Sequence, residues 1–310
     1  MSSGTRNLVA VASGLMLLAA CAGPADGTDD GRVSVTVTTT HAADLLRTVG
    51  GPHVEVTALM GPGVDPHLYR ASQGDVHALV EADLVVYHGL FLEGRMEEVL
   101  EAGALERVLA LTDALPEDAL LASSDYADQY DPHVWFDPEL WVHVVDPVVE
   151  ELSEIAPEHA ADFAAGGREY VEDVLAAHAE ASALLATVPP RSRVLVTSHD
   201  AFGYLGRAYG LEVRGVQGLS TEDEAGVADV RDLVDLLVER QVPALFTESS
   251  VSPASIEAVR EAAADRGWEV HVPEEGLYSD ALGEPGSPTG TYAGMLRANA
   301  ATIATALGGS

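Results

Sequence analysis

Lysine is missing from this chain altogether. All 16 basic side chains are arginine, and they stand against 50 aspartates and glutamates, for a formal charge of −34. A surface of that sign repels phosphate backbones, which excludes nucleic acid as a partner. Cysteine occurs once, at Cys21, so the body of the chain carries no disulfide. For the same reason, any metal site there must draw its ligands from His, Asp and Glu. That shifts the choice of ion away from copper(I) and iron–sulfur chemistry toward harder or borderline divalent ions. Long apolar runs are scarce too, and the run at 8–20 is too short to span a bilayer as a finished helix.

That run follows Arg6 and ends in Leu18-Ala19-Ala20-Cys21. Residues 1–20 therefore read as a secretion signal, and the small residues before Cys21 resemble the lipobox of bacterial lipoproteins, in which cleavage leaves an acylated cysteine at the new N-terminus. The segment 21–32 is small, polar and acidic, as expected of a disordered tether holding a domain off a membrane. These features predict an extracytoplasmic protein, anchored by lipid at Cys21 to the outer face of the cell membrane. Most of the remaining acidic residues read as a solubility surface.

With 310 residues and 47% hydrophobic content, the chain is long enough for two α/β domains, each with its own core. From residue 33 onward, short apolar runs alternate with amphipathic segments, the pattern of βαβ units. One set of strands is expected at 33–40, 54–60, 83–88 and 107–111, and a second at 192–198, 211–217, 244–248 and 269–272. Helices are expected at 222–240 and 255–266. Between the sets, 157–188 repeats apolar positions at helical spacing and stops at Pro189-Pro190. The predicted fold is α/β, with two lobes (33–156 and 189–310) that each hold a mostly parallel four-stranded sheet flanked by helices. One long rigid helix at 157–188 joins them, and bending it would break several backbone hydrogen bonds, which limits lobe motion. Gly166-Gly167 weakens that helix by about 1 kcal/mol per glycine relative to Ala and allows a kink or break there.

Most of the eleven histidines fill surfaces or helix faces, as His159 and His178 are expected to do. Position sets three apart. The tripeptide Asp65-Pro66-His67 follows the second strand, and the same tripeptide recurs at Asp131-Pro132-His133. In each, Pro fixes the backbone and Asp can accept from the imidazole. His199 follows a strand of the second set, where open α/β sheets bind ligands. Asp280, in the loop 277–283, offers a carboxylate. Any one of these residues alone is ordinary. Two from each lobe, all on loops beyond strands, would converge only between the lobes, and three imidazoles with one carboxylate suit Zn²⁺ or Mn²⁺.

The passages Leu59-Met60-Gly61-Pro62-Gly63-Val64-Asp65-Pro66-His67-Leu68-Tyr69, Gly89-Leu90-Phe91-Leu92-Glu93-Gly94, Asp131-Pro132-His133-Val134-Trp135-Phe136-Asp137, Thr197-Ser198-His199-Asp200-Ala201-Phe202-Gly203-Tyr204 and Ser279-Asp280-Ala281-Leu282-Gly283 occur in this order. In them the chain resembles the metal-specific solute-binding lipoproteins of bacterial ABC importers, the cluster A-I or TroA-like family, from Val33 nearly to the end. The resemblance implies two α/β lobes on a rigid helix, with one divalent ion held by His67, His133, His199 and Asp280. It also implies delivery of that ion to an importer permease with its cytoplasmic ATPase. Manganese-specific members often carry Glu at the third ligand position. His199 is the pattern of members that accept zinc and manganese, and the acidic stretch 113–131 lacks the histidines of zinc-dedicated relatives. Three imidazoles nevertheless favour Zn²⁺ over Mn²⁺, so both ions stay open.

Glu248, at the end of a strand, can orient a ligand or cap a helix. Asp65 and Asp131 are candidates to orient His67 and His133, and His88 is expected to line the cleft. His41 and Asp44 open the first helix, where capping accounts for them as well as a cleft position does. Two other functions compete: a zinc-dependent hydrolase, which would need an open coordination position and a general base, and a surface adhesin with a structural metal. The leading expectation is a monomeric binding protein without catalysis.

Overall fold

The computed structural model describes residue 1 and residues 31–309, apart from 101–102, 104, 124–125, 127–128 and 223–224. The secretion signal, Cys21 and nearly all of the tether lie outside the described residues. Strand β1 (Val33–Val37) is buried at four of its five positions, because it lies inside a parallel sheet of order β2-β1-β3-β4. Its neighbours are β2 (Val54–Ala58) and β3 (Leu84–Tyr87), and β4 (Val108–Ala110) closes the far side. The register runs from Val33 opposite Val54 to Val37 opposite Ala58, and Val35 faces Leu84 on the other side. The edge strand β2 exposes Glu55 and Thr57, and a charged edge resists pairing with other chains.

Crossover helices connect these strands. Helix α1 (Thr40–Gly50) starts where the Thr39 hydroxyl accepts the Ala42 N–H, and it buries Leu45, Leu46 and Val49. Helix α2 (Gln73–Glu81) starts in a reciprocal box in which Ser72 and Asp75 each accept the other's N–H. Two single turns, α3 (Glu97–Leu100) and α4 (Pro138–Trp141), precede α5 (Val145–Ile155). The predicted connector is the continuous helix α6 (Ala160–Leu185), entered through a 3₁₀ turn at Pro157–His159. It buries Phe163, Gly167, Tyr170, Val174, Ala177, Ala181 and Leu185, a stripe repeating every three or four residues. The glycine pair makes no break. A Cβ at Gly166 would stand 2.6 Å from the Thr48 carbonyl oxygen, and one at Gly167 would stand 2.8 Å from Val149 Cγ2. The pair is the contact that seats α6 against α1 and α5.

In the second half, β5 (Val194–His199) is buried throughout and pairs in parallel with β6 (Glu212–Gln217). The helices here are α7 (Gly203–Tyr209), α8 (Val227–Arg240), α9 (Ala254–Asp265) and α10 (Tyr292–Ala306). The segment expected as a strand at 244–248 lies beside β5 through a single parallel bridge, Phe246 to Thr197, and itself bridges 269–272 at Ala244 to His271 and the following loop at Glu248 to Leu277.

The largest apolar cluster spans both halves. One apolar cluster runs from Val35 and Leu46 in the first half, through Phe163, Tyr170 and Leu185 of α6, to Leu195, Phe202 and Tyr292. Arg32–Ser310 is accordingly one compact unit. Two smaller clusters flank it, one between β5, α8 and α9 and one under the loop after β2. Among the described residues no helix is long and apolar enough to cross a membrane.

Candidate metal centre

The loop leaving β2 stays in register with the sheet for two residues, since the Leu59 and Met60 N–H groups donate to the Val37 and Thr38 carbonyls. It then turns at Asp65-Pro66-His67, where Asp65 Oδ1 accepts the His67 N–H at 2.9 Å. The second tripeptide repeats the device, with Asp131 Oδ1 accepting the His133 N–H at 2.9 Å. The repeat is thus a turn that aims the histidine. The rings are treated differently. Asp131 Oδ1 also lies 2.7 Å from His133 Nδ1, which leaves Nε2 pointing into the cleft. Asp65 does not bond the His67 ring, and its second oxygen accepts from the Thr221 hydroxyl across the cleft. Of the two aspartates, Asp131 is the one in contact with its histidine ring.

His199 ends β5 with its N–H donating to Glu248 Oε1 at 2.9 Å, and Glu248 Oε2 sits 2.6 Å from its Nδ1. One carboxylate therefore fixes both the backbone and the ring of His199. Of the two roles considered for Glu248, helix capping is not the one it takes. Asp280 enters from the loop before α10, where Ser250 Oγ donates to its Oδ2 at 3.3 Å.

The four side chains come together although up to 213 positions separate them in the chain (67 to 280). His67 Nε2 lies 3.4 Å from His133 Nε2, His133 Nε2 lies 3.7 Å from Asp280 Oδ1, and His199 Nε2 lies 3.4 Å from Asp280 Oδ2. All four donor atoms fall within 4.8 Å of one another. A tetrahedron with metal–nitrogen bonds of ~2.0–2.1 Å has edges of about 3.4 Å, so these spacings fit one shared cation. Each residue is at most 4% exposed. His199 Nε2 and Asp280 Oδ1 make no hydrogen bond in the protein and stand within ion-pair distance of the neighbouring Asp280 Oδ2 and His133 Nε2, a spacing that suits ligands around a shared cation.

The electrostatics divide the ligands. Burial pushes the His67 imidazole down to about 3, against the pull of Asp280. Burial also works against a charged His199, but Glu248 and Asp280 on either side outweigh it and hold that ring well above the usual imidazole value. Burial likewise disfavours the Asp280 carboxylate, yet His199 beside it holds it below the ordinary range. Burial raises the Asp65 carboxyl. Without a cation, His199 therefore carries a proton that its two carboxylate neighbours stabilise.

His88 is fully buried. Its Nε2 bonds the Pro132 carbonyl at 2.7 Å, and its ring stacks on Trp141. His41 is also buried, stacked on Trp135, and burial pushes both rings down to about 3. Asp44 accepts the Tyr292 N–H at the start of α10, so it joins the two halves. Sequence reasoning gave no role to Trp135, whose indole N–H donates to the Ser279 carbonyl at 3.1 Å and so ties the His133 loop to the Asp280 loop. It also missed Tyr204, which donates to the Asp131 carbonyl and accepts from the Leu121 N–H. The aromatic directly after Pro-His-Val was a usable signal for Trp135. Thr221 gave none.

Comparison with known proteins sets this geometry in a family. The family model described as ZnuA, zinc-uptake complex component A periplasmic, matches residues 35–306. The chain belongs to that family. It is 48% identical over 279 residues to the manganese-binding lipoprotein MntA of Bacillus subtilis, covering 90% of each chain. It is 41% identical to the zinc-binding protein TroA of Treponema pallidum, covering 92% of each. The solved structure of that periplasmic zinc-binding TroA superposes with a TM-score of 0.84 at 40% identity, covering 89% of this chain and 99% of TroA. Family members thus share the α/β architecture described above; the names of both relatives describe metal binding, and that of MntA also a lipoprotein.

Proposed function

We propose that this chain captures one divalent transition-metal ion, Mn²⁺ or Zn²⁺, between its two halves at His67, His133, His199 and Asp280, and delivers it to an ABC importer. The observation that carries this reading is the set of four buried donor atoms spaced as the vertices of one coordination shell. The similarity to a manganese-binding and a zinc-binding protein supports the cargo class. A more distant relative, 25% identical, is the manganese ABC transporter substrate-binding lipoprotein PsaA of Streptococcus pneumoniae, which supports the importer as partner. The recipient is a membrane permease with its cytoplasmic ATPase. The protein acts as a monomer, held at the outer face of the cell membrane through acylated Cys21 and the 21–32 tether. The regions 33–156 and 189–310 act as lobes around the cleft, and 157–188 restrains their relative motion.

Hydrolysis is disfavoured by the same residues. A catalytic zinc keeps an open position and a free general base, but here a fourth side chain closes the set, and the nearby carboxylates Asp131 and Glu248 are occupied with histidine rings. The test is metal content by mass spectrometry on the purified mature chain, wild type beside His133→Ala, with esterase and peptidase assays in parallel. About one ion per wild-type chain, lost in the variant, without hydrolysis, is the expected result. Metal retained in His133→Ala, or zinc-dependent turnover, would contradict the proposal.

A further inference from the structure

A second group of metal-ligating side chains lies away from the cleft. Helix α1 carries the chain from His41, stacked on Trp135 beside the cleft, to the 3₁₀ turn Gly51–His53 at its other end. Eleven helical residues put about 16 Å between those ends. At that far end His53 meets the entry into α6. Its Nε2 lies 3.0 Å from Asp162 Oδ2, and its ring lies on that of His159 with centroids 3.7 Å apart at an angle of 16°. One donor atom from each of His53, His159 and Asp162 falls within 4.8 Å of the others.

We infer that His53, His159 and Asp162 form a second, weaker divalent-cation site, distinct from the cleft, which takes Zn²⁺, Ni²⁺ or Cu²⁺ in preference to Mn²⁺. The position is built in several respects. His159 ends the 3₁₀ turn that leads into α6, and Asp162 lies in the first turn of that helix, so both stand at the entry into α6 beside His53. The buried Phe163 ring packs edge-on against both imidazoles and forms the floor under the pair. The His53 side chain is 24% exposed, so a hydrated ion can reach the site from solvent without the protein opening. Two imidazoles and one carboxylate make three ligands with room for water, a set whose affinity rises from Mn²⁺ toward the later ions of the series. The acidic surface of the chain raises the local concentration of all of these ions.

The stacked rings also specify what binding must do. In parallel rings the nitrogen lone pairs run side by side, so the His159 ring must turn out of the stack to aim at an ion beside His53. Capture therefore breaks the His53–His159 stack and links the turn before β2 to the start of α6. This makes the site weaker than the cleft, where the donor atoms already converge.

The experiment is a zinc titration of the purified mature chain followed by calorimetry and imidazole NMR, in excess Mg²⁺ to saturate simple carboxylate binding. Wild type should take up a second, weaker equivalent of Zn²⁺ but no second equivalent of Mn²⁺, with the His53 and His159 resonances shifting together as it binds. His53→Gln and Asp162→Asn should each lose that equivalent and keep the cleft equivalent, with unchanged circular dichroism. His133→Ala should do the reverse, which separates failure of this inference from failure of the cleft assignment. Saturation of wild type at the cleft equivalent, or a second equivalent that survives both His53→Gln and Asp162→Asn, would overturn it.

Discussion

Loading the cleft at neutral pH should expel close to one proton, and Glu248→Gln should remove most of that release. A coordinating imidazole nitrogen must give up its proton. His67 is already neutral far below neutral pH, because burial pushes it down to about 3. His199 is raised, since Glu248 and Asp280 outweigh its burial, so it enters the reaction protonated. The log of the binding constant should then rise by about one unit per pH unit, ~1.4 kcal/mol, until the pH passes the raised His199 value. The linked stability has a definite sign. The His199 charge stabilises the metal-free protein below the unfolded histidine value, and that contribution is lost as pH rises through the raised folded value. In Glu248→Gln the amide oxygen still accepts from Nδ1 but carries no charge, so His199 titrates lower and the pH slope flattens near neutrality. Loss of this supporting carboxylate should also weaken binding by about 10- to 100-fold. Calorimetry at one pH in buffers of different ionisation enthalpy counts the protons directly. A wild type that releases none, or a Glu248→Gln protein that releases as many as wild type, would refute the electrostatic reasoning.

Saturating metal should stabilise the fold: at a thousandfold excess over Kd the gain is about 4 kcal/mol, which differential scanning calorimetry would report as a higher Tm. An unchanged Tm with both Zn²⁺ and Mn²⁺ would contradict a cleft shared by the two halves. Thr221→Val removes the hydroxyl that holds Asp65 from across the cleft. It should cost roughly 1–1.5 kcal/mol, about a tenfold loss in affinity, without altering the secondary structure. Gly166→Ala improves local helix propensity by about 1 kcal/mol, but it drives a methyl group into the Thr48 and Val49 carbonyls. The net effect should be a loss of about 1–2 kcal/mol and a Tm lowered by a few degrees, and a raised Tm would show that α6 can move away from α1. Cys21→Ser should shift the protein from the membrane fraction to the soluble fraction with metal affinity intact, whereas persistence in membranes would count against the lipid anchor.

The four side chains that meet in the cleft stood out because their signals are local: two copies of Asp-Pro-His, a histidine ending an apolar strand, and an aspartate in a polar loop. The turn chemistry of those tripeptides follows from the residues, and both copies form it. What the partners of a turn do next depends on the fold. Asp131 turns back to its own histidine while Asp65 reaches Thr221, 156 positions away, and no periodicity encodes that choice. The first sheet was readable strand by strand, since β1 and β3 are Val-rich runs buried on both faces and the edge strand β2 alternates buried and exposed positions. In the second half the third and fourth segments are aligned but joined by single bridges, a pairing density that apolar runs do not specify. The shared core was hidden for a related reason. Apolar residues of α6 reveal that the helix is covered, but not that α1 and α10 cover it together. Gly166-Gly167 read as weakness because the cost of glycine is local, whereas its benefit, close approach to α1, is tertiary.

The central claim is that His67, His133, His199 and Asp280 enclose a single ion. Crystals of the mature chain grown with Mn²⁺ or Zn²⁺, measured at the absorption edge of each metal, test it directly. The account predicts an anomalous peak within bonding distance of the Nε2 atoms of the three histidines and of an Asp280 carboxylate oxygen. A cleft without that peak under saturating metal, or a peak bound by fewer than three of these side chains, would contradict it.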